Sequence, residues 1–158
     1  MSMEYYEIYK KSGWVETKEI YGIKLSQPYN DYVYSNTDLD KVVAYSVLKY
    51  SQSNNVSMVY NGQLIGIGCG QQNRVACVKL AGDKSLNWRM RHTKTVIDYY
   101  NSLDKNLKRQ EKVNLVYEYI SNHKERLLNE IDQIPITLGS DGFFPFTDNI
   151  EEANKYSV

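Results

Sequence analysis

The sequence is poor in the residues that define metal-binding and disulfide-rich proteins. It contains two cysteines, Cys69 and Cys77, and two histidines that lie far from both of them in the chain. So few cysteines argue for a reducing compartment rather than a disulfide framework. No P-C-x-x-C pattern occurs, and the one H-x-E triplet, His123-Lys124-Glu125, lies far from both cysteines. A zinc deaminase mechanism therefore has no support, and no zinc is expected. We interpret both cysteines as small buried residues rather than nucleophiles.

The chain also lacks an excess of charge of either sign and any long apolar run. Lys and Arg together number 19, as do Asp and Glu, so the formal net charge is zero. This balance argues against duplex nucleic acid as a partner, although a small phosphorylated ligand needs only a few local donors. No run approaches the length of a membrane span, and the segment MSMEYYEIYKK lacks the apolar core of a signal peptide. We therefore expect a cytoplasmic protein with no nucleic-acid or membrane partner.

Phenylalanine is scarce, and its three copies lie within one tetrapeptide. Phe143, Phe144 and Phe146 belong to the segment SDGFFPFTDN, where aspartates flank them. A hydrophobic core would distribute its aromatic residues along the chain. Their concentration here is more typical of a pocket wall, and a buried turn cluster is the alternative.

The length of 158 residues suits one domain, and the pattern of elements predicts the α/β or α+β class. We expect an N-terminal arm over residues 1–16, followed by a domain over residues 17–158. Within the domain, Thr17–Pro28 is predicted to form a strand, because apolar residues partly alternate along it. A helix follows, for which Asn36 or Thr37 is the predicted N-cap.

The segment VSMVYNGQLIGIGCG gives the clearest local signal in the chain. Asn61-Gly62 lies between two strand-like runs, and this dipeptide favours a two-residue hairpin turn. Gly66, Gly68 and Gly70 alternate along the second run and are expected on one face, packed against a backbone or a ligand. Their spacing departs from the G-x-G-x-x-G fingerprint, which argues against dinucleotide binding.

Helical periodicity and turn residues predict four further elements. Two polar segments lie at element junctions: KYSQSNN between a helix and a strand, and GQQNR between the glycine-rich strand and a helix. The second position suits small anions or amides, with a solvated first turn as the alternative. The four elements are a helix within residues 71–92 interrupted near Ala81-Gly82, a helical stretch over Leu107–Ile131, a short strand in IPITLGSDG, and a last helix in TDNIEEANKY with Asp148 and Glu151 as a capping-box-like pair.

Taken in order, these motifs resemble the AICAR transformylase family, the formyltransferase part of bifunctional purine biosynthesis proteins. That family has K-Y-T-Q-S-N, N-G-Q-x-I-G-I-G-x-G-Q-Q-x-R, L-A-G-D-K, W-x-x-R-H and S-D-A-F-F-P-F-x-D-N. The chain matches all five, with Ser51 where the first motif has Thr and Gly142 where the last motif has Ala. The resemblance implies a cytidine-deaminase-like, three-layer α/β/α domain with a mixed sheet. It covers most of the second of two such subdomains and implies that C-terminal elements are missing.

The resemblance assigns roles to individual residues of this sequence. It makes Asn54 and Asp148 catalytic, and it places an AICAR nucleotide against Asn54, Arg74, Phe143 and Asp148. Folate, as the cosubstrate 10-formyltetrahydrofolate, would contact a second set, and a monovalent cation, potassium, a third. These sets are Val75, Pro145, Phe146 and Asn149 for folate, and Ser51, Ser53 and Asp141 for the cation.

The implied function is transfer of a formyl group from 10-formyltetrahydrofolate to AICAR in purine biosynthesis. The family's other subdomain carries a Lys-His pair for proton transfer, and this sequence contains no Lys-His dipeptide. The resemblance therefore implies an incomplete site, completed in a homodimer or by a partner chain. A fragment, a split-gene product and a degenerate copy all fit. The alternative function is a non-catalytic nucleotide- or folate-binding remnant, or an accessory subunit.

Overall fold

A computed structural model of the protein describes residues 15–28 and 38–156. It divides into two compact units, residues 1–35 and residues 36–158. The domain boundaries expected from the sequence, 1–16 and 17–158, stay a prediction.

The first unit contains a β-hairpin where the sequence predicts one strand. Strand β1 (Val15–Ile20) pairs antiparallel with β2 (Ile23–Pro28). Tyr21 and Gly22 form the turn, with φ angles of 51° and 79°. The prediction of a single strand over Thr17–Pro28 is wrong because this dipeptide reverses the chain. Tyrosine seldom adopts positive φ, so of the two turn residues only Gly22 is a type that indicates such a turn.

The second unit holds nine helices and strands in its described part, residues 38–156. Their order begins helix, strand, strand, helix, as the sequence predicts. The elements are α1 (Leu39–Tyr50), β3 (Asn55–Tyr60), β4 (Gln63–Cys69), α2 (Arg74–Arg91), α3 (Lys94–Ser102), α4 (Arg109–Asn122), α5 (Lys124–Glu130), β5 (Thr137–Ser140) and α6 (Asp148–Asn154).

Strand β3 forms the centre of a three-stranded sheet with the order β4-β3-β5. Val56 and Met58 pack on one side with Val78 of α2, while the Ser57 hydroxyl on the other side donates to the Ala44 carbonyl of α1 at 3.4 Å. Helices therefore cover both faces, and the α/β class is confirmed. All the described strand pairings are antiparallel, in contrast to the mixed sheet expected. The cytidine-deaminase-like fold and the missing C-terminal elements stay predictions.

The predicted Asn61-Gly62 turn is confirmed. Both residues have positive φ, 50° and 74°, and they join β3 to β4. The Asp40 carboxylate of α1 accepts hydrogen bonds from the backbone N–H groups of Asn61 and Gly62. A side chain in the first turn of α1 thus fixes the hairpin tip against that helix.

Two of the three alternating glycines pack against the backbone of α2. A Cβ on Gly66 would overlap the Ala81 carbonyl oxygen, and one on Gly68 would overlap the Cys77 carbonyl oxygen. Gly70 lies beyond the end of β4 with a φ of 66°. Of the two alternatives left open by the sequence, close approach of backbone is therefore the one observed.

Helix α2 runs without interruption, so the break expected near Ala81-Gly82 is wrong. Gly82 is buried, and a Cβ there would press into the Tyr156 ring, with contacts of 2.5 Å. The glycine serves packing against the chain that follows α6 rather than a helix break. This role depends on a residue far along the chain, which local sequence does not indicate.

The helices beyond α2 enclose a second core. The helical stretch predicted over Leu107–Ile131 is two helices, α4 and α5, separated at His123, and α3 was not predicted. Thr93 caps α3 by accepting from the Val96 amide. We call the residues around the sheet the sheet cluster and those among the helices the helical cluster. The sheet cluster contains Val56, Met58, Ile65, Cys77, Val78, Ala81, Ile136, Ala153 and Tyr156; the helical cluster contains Met90, Val96, Val116, Ile120 and Leu127.

Two cap assignments from the sequence are wrong. The N-cap of α1 is Asp38, which accepts from the amides of Asp40 and Lys41, whereas Asn36 and Thr37 lie outside the described residues. At α6 the N-cap is Thr147, without a side-chain bond, and Asp148 is already helical. The actual cap lies one residue after Thr37 at α1 and one residue before Asp148 at α6.

Across the described parts of the chain, none of the helices has the length and apolar character needed to cross a membrane.

Candidate functional site

Three polar segments meet at one end of the sheet. Asn55 at the start of β3 pairs with Cys69 at the end of β4, and Val56 pairs with Ser140 at the end of β5. The loop before β3, the segment between β4 and α2, and the loop after β5 therefore converge. These are the three segments to which the sequence assigns nucleotide and cation binding.

Asp141 connects these segments through its carboxylate. One oxygen accepts a short hydrogen bond from the Ser53 hydroxyl, and the other lies 3.4 Å from Nη2 of Arg74. The Arg74 and Asp141 side chains are 27% and 16% exposed, so the pair is only partly screened by water. The structure thus brings together Ser53, Arg74 and Asp141, which the sequence places in two different ligand sets.

Asn54 ties the loop before β3 to the entry of α2. Its side-chain Nδ2 donates to the Gln71 carbonyl at 3.1 Å, and its own backbone carbonyl accepts from Cys77 Sγ at 3.1 Å. The Gly70 amide donates to the Gln52 carbonyl at 2.9 Å beside it. These bonds hold the two polar segments KYSQSNN and GQQNR against each other, a contact that their separate positions in the sequence do not show.

Arg74 is the first residue of α2, and Asn73 is its N-cap. The Asn73 side-chain oxygen accepts from the Ala76 amide at 2.8 Å. The first turn of a helix has backbone N–H groups without intrahelical partners and favours negative charge. The Arg74 guanidinium thus lies beside a helix N-terminus that itself attracts anions, which supports the interpretation of GQQNR as an anion site.

Cys77 lies in the same region, but its chemistry is that of a core residue. It is fully buried, and burial raises the pKa of its thiol. A thiol with a raised pKa is a poor nucleophile at neutral pH. The interpretation of Cys77 as a small packing residue is therefore supported.

The three phenylalanines divide into two groups. Phe144 is half-buried and packs against the sheet cluster, whereas Phe143 and Phe146 are 83% and 72% exposed. The buried-turn alternative holds for Phe144. The pocket wall stays a prediction for Phe143 and Phe146, whose rings are exposed.

The predicted residues in and around α6 form a separate group. Asn149 is buried, and its Nδ2 donates to the Asp148 carboxylate at 2.8 Å. Within residues 38–156 no hydrogen bond or ion pair connects Asp148 or Asn149 with Asn54, Arg74 or Asp141. Oδ1 of Asn149 is buried and without a protein partner. The two remaining residues of the folate set, Val75 and Pro145, are half-buried and exposed, respectively.

The side chains predicted for a monovalent cation are partly assembled. Ser53 and Asp141 touch, while the Ser51 hydroxyl donates to the Val47 carbonyl of α1 at 2.6 Å. Both hydroxyl oxygens keep lone pairs, and hydroxyl and carboxylate oxygens suit a hard cation. The donor types therefore fit potassium. In the part of the chain that the structure describes, no three His, Cys, Asp or Glu side chains cluster as a metal site.

Each unit contains a cleft. One of about 390 Å³ borders the β1-β2 hairpin at Leu25 and Gln27 in the first unit, and another of about 180 Å³ lies between Tyr60, Trp88 and Ile134 in the second. Neither cleft is lined by a residue to which the sequence assigns a role.

Comparison with known proteins agrees with the family that these motifs resemble. Residues 15–84, from β1 into α2, match the family described as AICARFT/IMPCHase bienzyme. The resemblance found in the sequence is confirmed over this segment.

Among curated proteins, the chain is similar to the bifunctional purine biosynthesis protein PurH from two strains of Streptococcus pneumoniae, serotype 19F (strain G54) and strain 70585. Each is 28% identical over 115 residues, which is 73% of this chain. The match spans only 14% of the length of each relative. The similarity therefore concerns a small part of those proteins.

Proposed function

We propose that the chain supplies one part of a formyltransferase site of purine biosynthesis. The reaction would transfer a formyl group from 10-formyltetrahydrofolate to AICAR. The similarity to PurH and to the AICARFT/IMPCHase family supports this, as does the meeting of three separate motifs at one end of the sheet. The observation that carries the proposal is the position of Arg74. Arg74 lies at the N-terminus of α2 and pairs with Asp141. Asp141 belongs to the loop after β5, which also carries the exposed Phe143.

The proposed nucleotide site uses one polar and one aromatic anchor. Arg74 offers planar donors for the ligand's polar groups, in company with the free amides of the first turn of α2. The exposed ring of Phe143 offers a face for the flat imidazole of AICAR. Asn54, fixed by the Gln71 carbonyl, orients the reacting part of the ligand.

The chemistry requires positioning more than covalent catalysis. The AICAR amine attacks the formyl carbon and a tetrahedral oxyanion forms. The amine then loses one proton, and N10 of the folate leaves as it takes up one. Catalysis then depends on alignment of the two substrates and on stabilisation of the oxyanion. In this proposal Asn54 and Asp148 act near the transferred group, and Val75, Pro145, Phe146 and Asn149 contact folate.

A potassium ion and a further chain complete the proposed site. Ser51, Ser53 and Asp141 would hold the cation, which would neutralise charge beside the loop after β5. Proton transfer would come from a Lys-His pair of a different partner chain, because this sequence, and so a second copy of it in a homodimer, has no such pair. We also propose a cytoplasmic location, where soluble nucleotide and folate pools meet.

A binding experiment with alanine variants tests the nucleotide site. We expect Arg74→Ala and Phe143→Ala each to weaken AICAR binding about tenfold or more, because stacking or a charged hydrogen bond contributes roughly 1–3 kcal/mol. Calorimetric titration measures this, and Phe144→Ala is the matched control, with affinity at low temperature nearly unchanged. Unchanged affinity in both site variants, with the fold intact, would contradict the proposal.

The same preparation tests whether the chain is complete as an enzyme. Partner-free protein supplied with 10-formyltetrahydrofolate and AICAR is expected to show no turnover, since the Lys-His pair is missing. Formyl transfer that disappears in Asn54→Ala would show that this chain contains its own general base.

A non-catalytic nucleotide- or folate-binding remnant, or an accessory subunit, is the second candidate. The absence of the Lys-His dipeptide favours it. A chain carrying that pair, added in equal amount, separates the two candidates. Activity that appears on mixing supports the shared enzyme, whereas AICAR or folate binding with no activity supports the remnant.

A further inference from the structure

Gly142 lies where any side chain would require the Arg74 guanidinium to move. A Cβ built on Gly142 would overlap Nη2 of Arg74 and would lie 3.0 Å from Cζ and 3.3 Å from Nε. The three nearest neighbours of that position are thus all atoms of one guanidinium group. Arg74 reaches from the start of α2 across to the loop after β5 and lies on the backbone of Gly142.

Glycine is needed here for space and not for backbone conformation. The φ angle of Gly142 lies outside the left-handed region, unlike those of Gly62 and Gly70. An alanine could adopt the same backbone without strain. The motif S-D-A-F-F-P-F, which this segment resembles, has alanine at this position. The difference between glycine and alanine at this position therefore concerns the space that Arg74 occupies and not the backbone of the loop.

The guanidinium packed on Gly142 has Asp141 as its ion-pair partner. Nη2 is 3.4 Å from the Asp141 carboxylate, which also accepts from the Ser53 hydroxyl. Nε of Arg74 is buried and has no protein partner. A methyl group at residue 142 would therefore require the guanidinium to shift and would disturb its contact with Asp141.

We propose that Gly142 is a positioning residue that seats Arg74 on the loop after β5 and so presents it, already ordered, to the nucleotide. The effect of Gly142 on ligand binding rests on the proposed function, whereas the packing of Arg74 on Gly142 does not depend on it. A side chain ordered before binding loses less entropy when the ligand arrives, so a displaced Arg74 binds more weakly. The glycine would thereby set affinity at the polar end of the site without touching the ligand.

A double-mutant cycle tests this role with AICAR as the probe. We expect Gly142→Ala to weaken binding about fivefold to tenfold when Arg74 is present, and less than twofold in the Arg74→Ala background. A glycine that only shaped the loop would give the same loss in both backgrounds, and that result would overturn the proposal. Thermal unfolding of all four proteins confirms that each is folded.

The side-chain Nε–H resonance of Arg74 tests the seating without any ligand. The signal is assigned by its loss in Arg74→Ala, and we expect it to shift in Gly142→Ala and in Asp141→Asn. If the native chain fails to bind AICAR while this signal shifts, the proposed function fails and the seating stands. A signal that Gly142→Ala leaves unmoved overturns the seating, whatever the binding data show.

Discussion

At the scale of single residues, adjacent phenylalanines in one short segment have opposite environments. Phe144 packs against the sheet cluster, while Phe143 and Phe146 project into solvent. An exposed aromatic ring contributes little to the free energy of unfolding, because folding hardly removes it from water. The segment therefore separates a stabilising ring from two rings that are available to a ligand.

Substitution of these residues should separate stability from binding. Phe144→Ala is expected to lower the free energy of unfolding by roughly 2 kcal/mol, as for a partly buried aromatic side chain. Phe143→Ala and Phe146→Ala should change it by less than about 0.5 kcal/mol, which is typical of exposed sites. Urea unfolding of the three variants measures this. Equal losses in all three would mean that the exposed rings are covered in solution.

The sequence predicted most of the residues that meet at the site, but not how they meet. Arg74 and Asp141 were assigned to different ligands, and their ion pair depends on the convergence of α2 with the loop after β5. The role of Gly142 was equally hidden, because a substitution of alanine by glycine in a motif does not show which side chain fills the space. Motifs indicate residue types, whereas contacts between distant segments require the folded chain.

At the scale of elements, β4 packs so closely against the backbone of α2 that no additional side-chain atom fits between them. Gly66 and Gly68 lie directly against the carbonyl groups of Ala81 and Cys77, and Lys84 of α2 donates to the Ile67 carbonyl at 2.7 Å. A backbone cannot rotate aside as a flexible side chain can. This contact sets the distance between sheet and helix, and with it the position of Arg74 at the start of α2.

An added methyl group should therefore be poorly tolerated at this contact. We expect Gly68→Ala to lower the free energy of unfolding by about 2 kcal/mol or more, because overpacking against fixed backbone strains both elements. Gln63→Ala, at an exposed position of the same strand, serves as the control with less than about 0.5 kcal/mol. A Gly68→Ala protein as stable as the control would show that α2 can move outward freely.

Tyr156 makes the contact between α2 and the end of α6 sensitive to alkali. Burial, reinforced by Asp83 and Glu152, raises the pKa of its phenol from 10.0 to about 12. Between these values the unfolded chain loses the proton while the folded chain keeps it, so stability falls as pH rises. At pH 11 the loss relative to pH 9 is about 1 kcal/mol from this group.

Replacement of Tyr156 isolates this effect from other alkaline titrations. The free energy of unfolding of Tyr156→Phe should fall less between pH 9 and pH 11 than that of the native chain, by about 1 kcal/mol. Urea titrations at the two pH values give the difference. Parallel losses in the two proteins would mean that the phenol ionises freely in the folded state.

Local signals predicted the hairpin at Asn61-Gly62 well and the continuity of α2 badly. The turn needs only its own two residues to specify positive φ, so its sequence is sufficient. By its residue type Gly82 predicts a helix break, and only the folded chain shows that it makes space for the Tyr156 ring. Helix α3 was missed because only nine residues form it and its packing partners lie in α2, α4 and α5. Short elements whose stability comes from tertiary contacts leave a weak local pattern.

At the scale of the whole molecule, one end of the sheet gathers side chains that lie far apart in the sequence. The sheet and α2 position Asn54, Arg74 and Asp141 there. The matched segment spans only 14% of the length of each PurH relative. The similarity therefore concerns this region and not the whole of those proteins.

Two side chains of α2 link the hydrophobic clusters of residues 38–156: Leu86 packs against both clusters, and Arg89 bonds to the backbone beside each. Arg89 of α2 is 5% exposed, and it donates to the Asp132 carbonyl at 2.6 Å and to the Tyr156 carbonyl at 3.2 Å. Asp132 follows the helical cluster in the chain, and Tyr156 belongs to the sheet cluster. Burial lowers the pKa of the guanidinium, yet arginine stays charged at any physiological pH.

This arrangement makes Arg89 a source of cooperativity in unfolding. If either cluster opens, one carbonyl loses its hydrogen bond to the Arg89 guanidinium, and the guanidinium stays poorly hydrated. We therefore expect both clusters to unfold in one transition. Arg89→Met keeps most of the apolar stem and removes the charge, and it should broaden the thermal transition or split it into two. Calorimetric and van't Hoff enthalpies that agree in the native chain and diverge in the variant would show this. If the two enthalpies agree in both the native chain and Arg89→Met, the coupling between the clusters comes from the rest of α2 and not from Arg89.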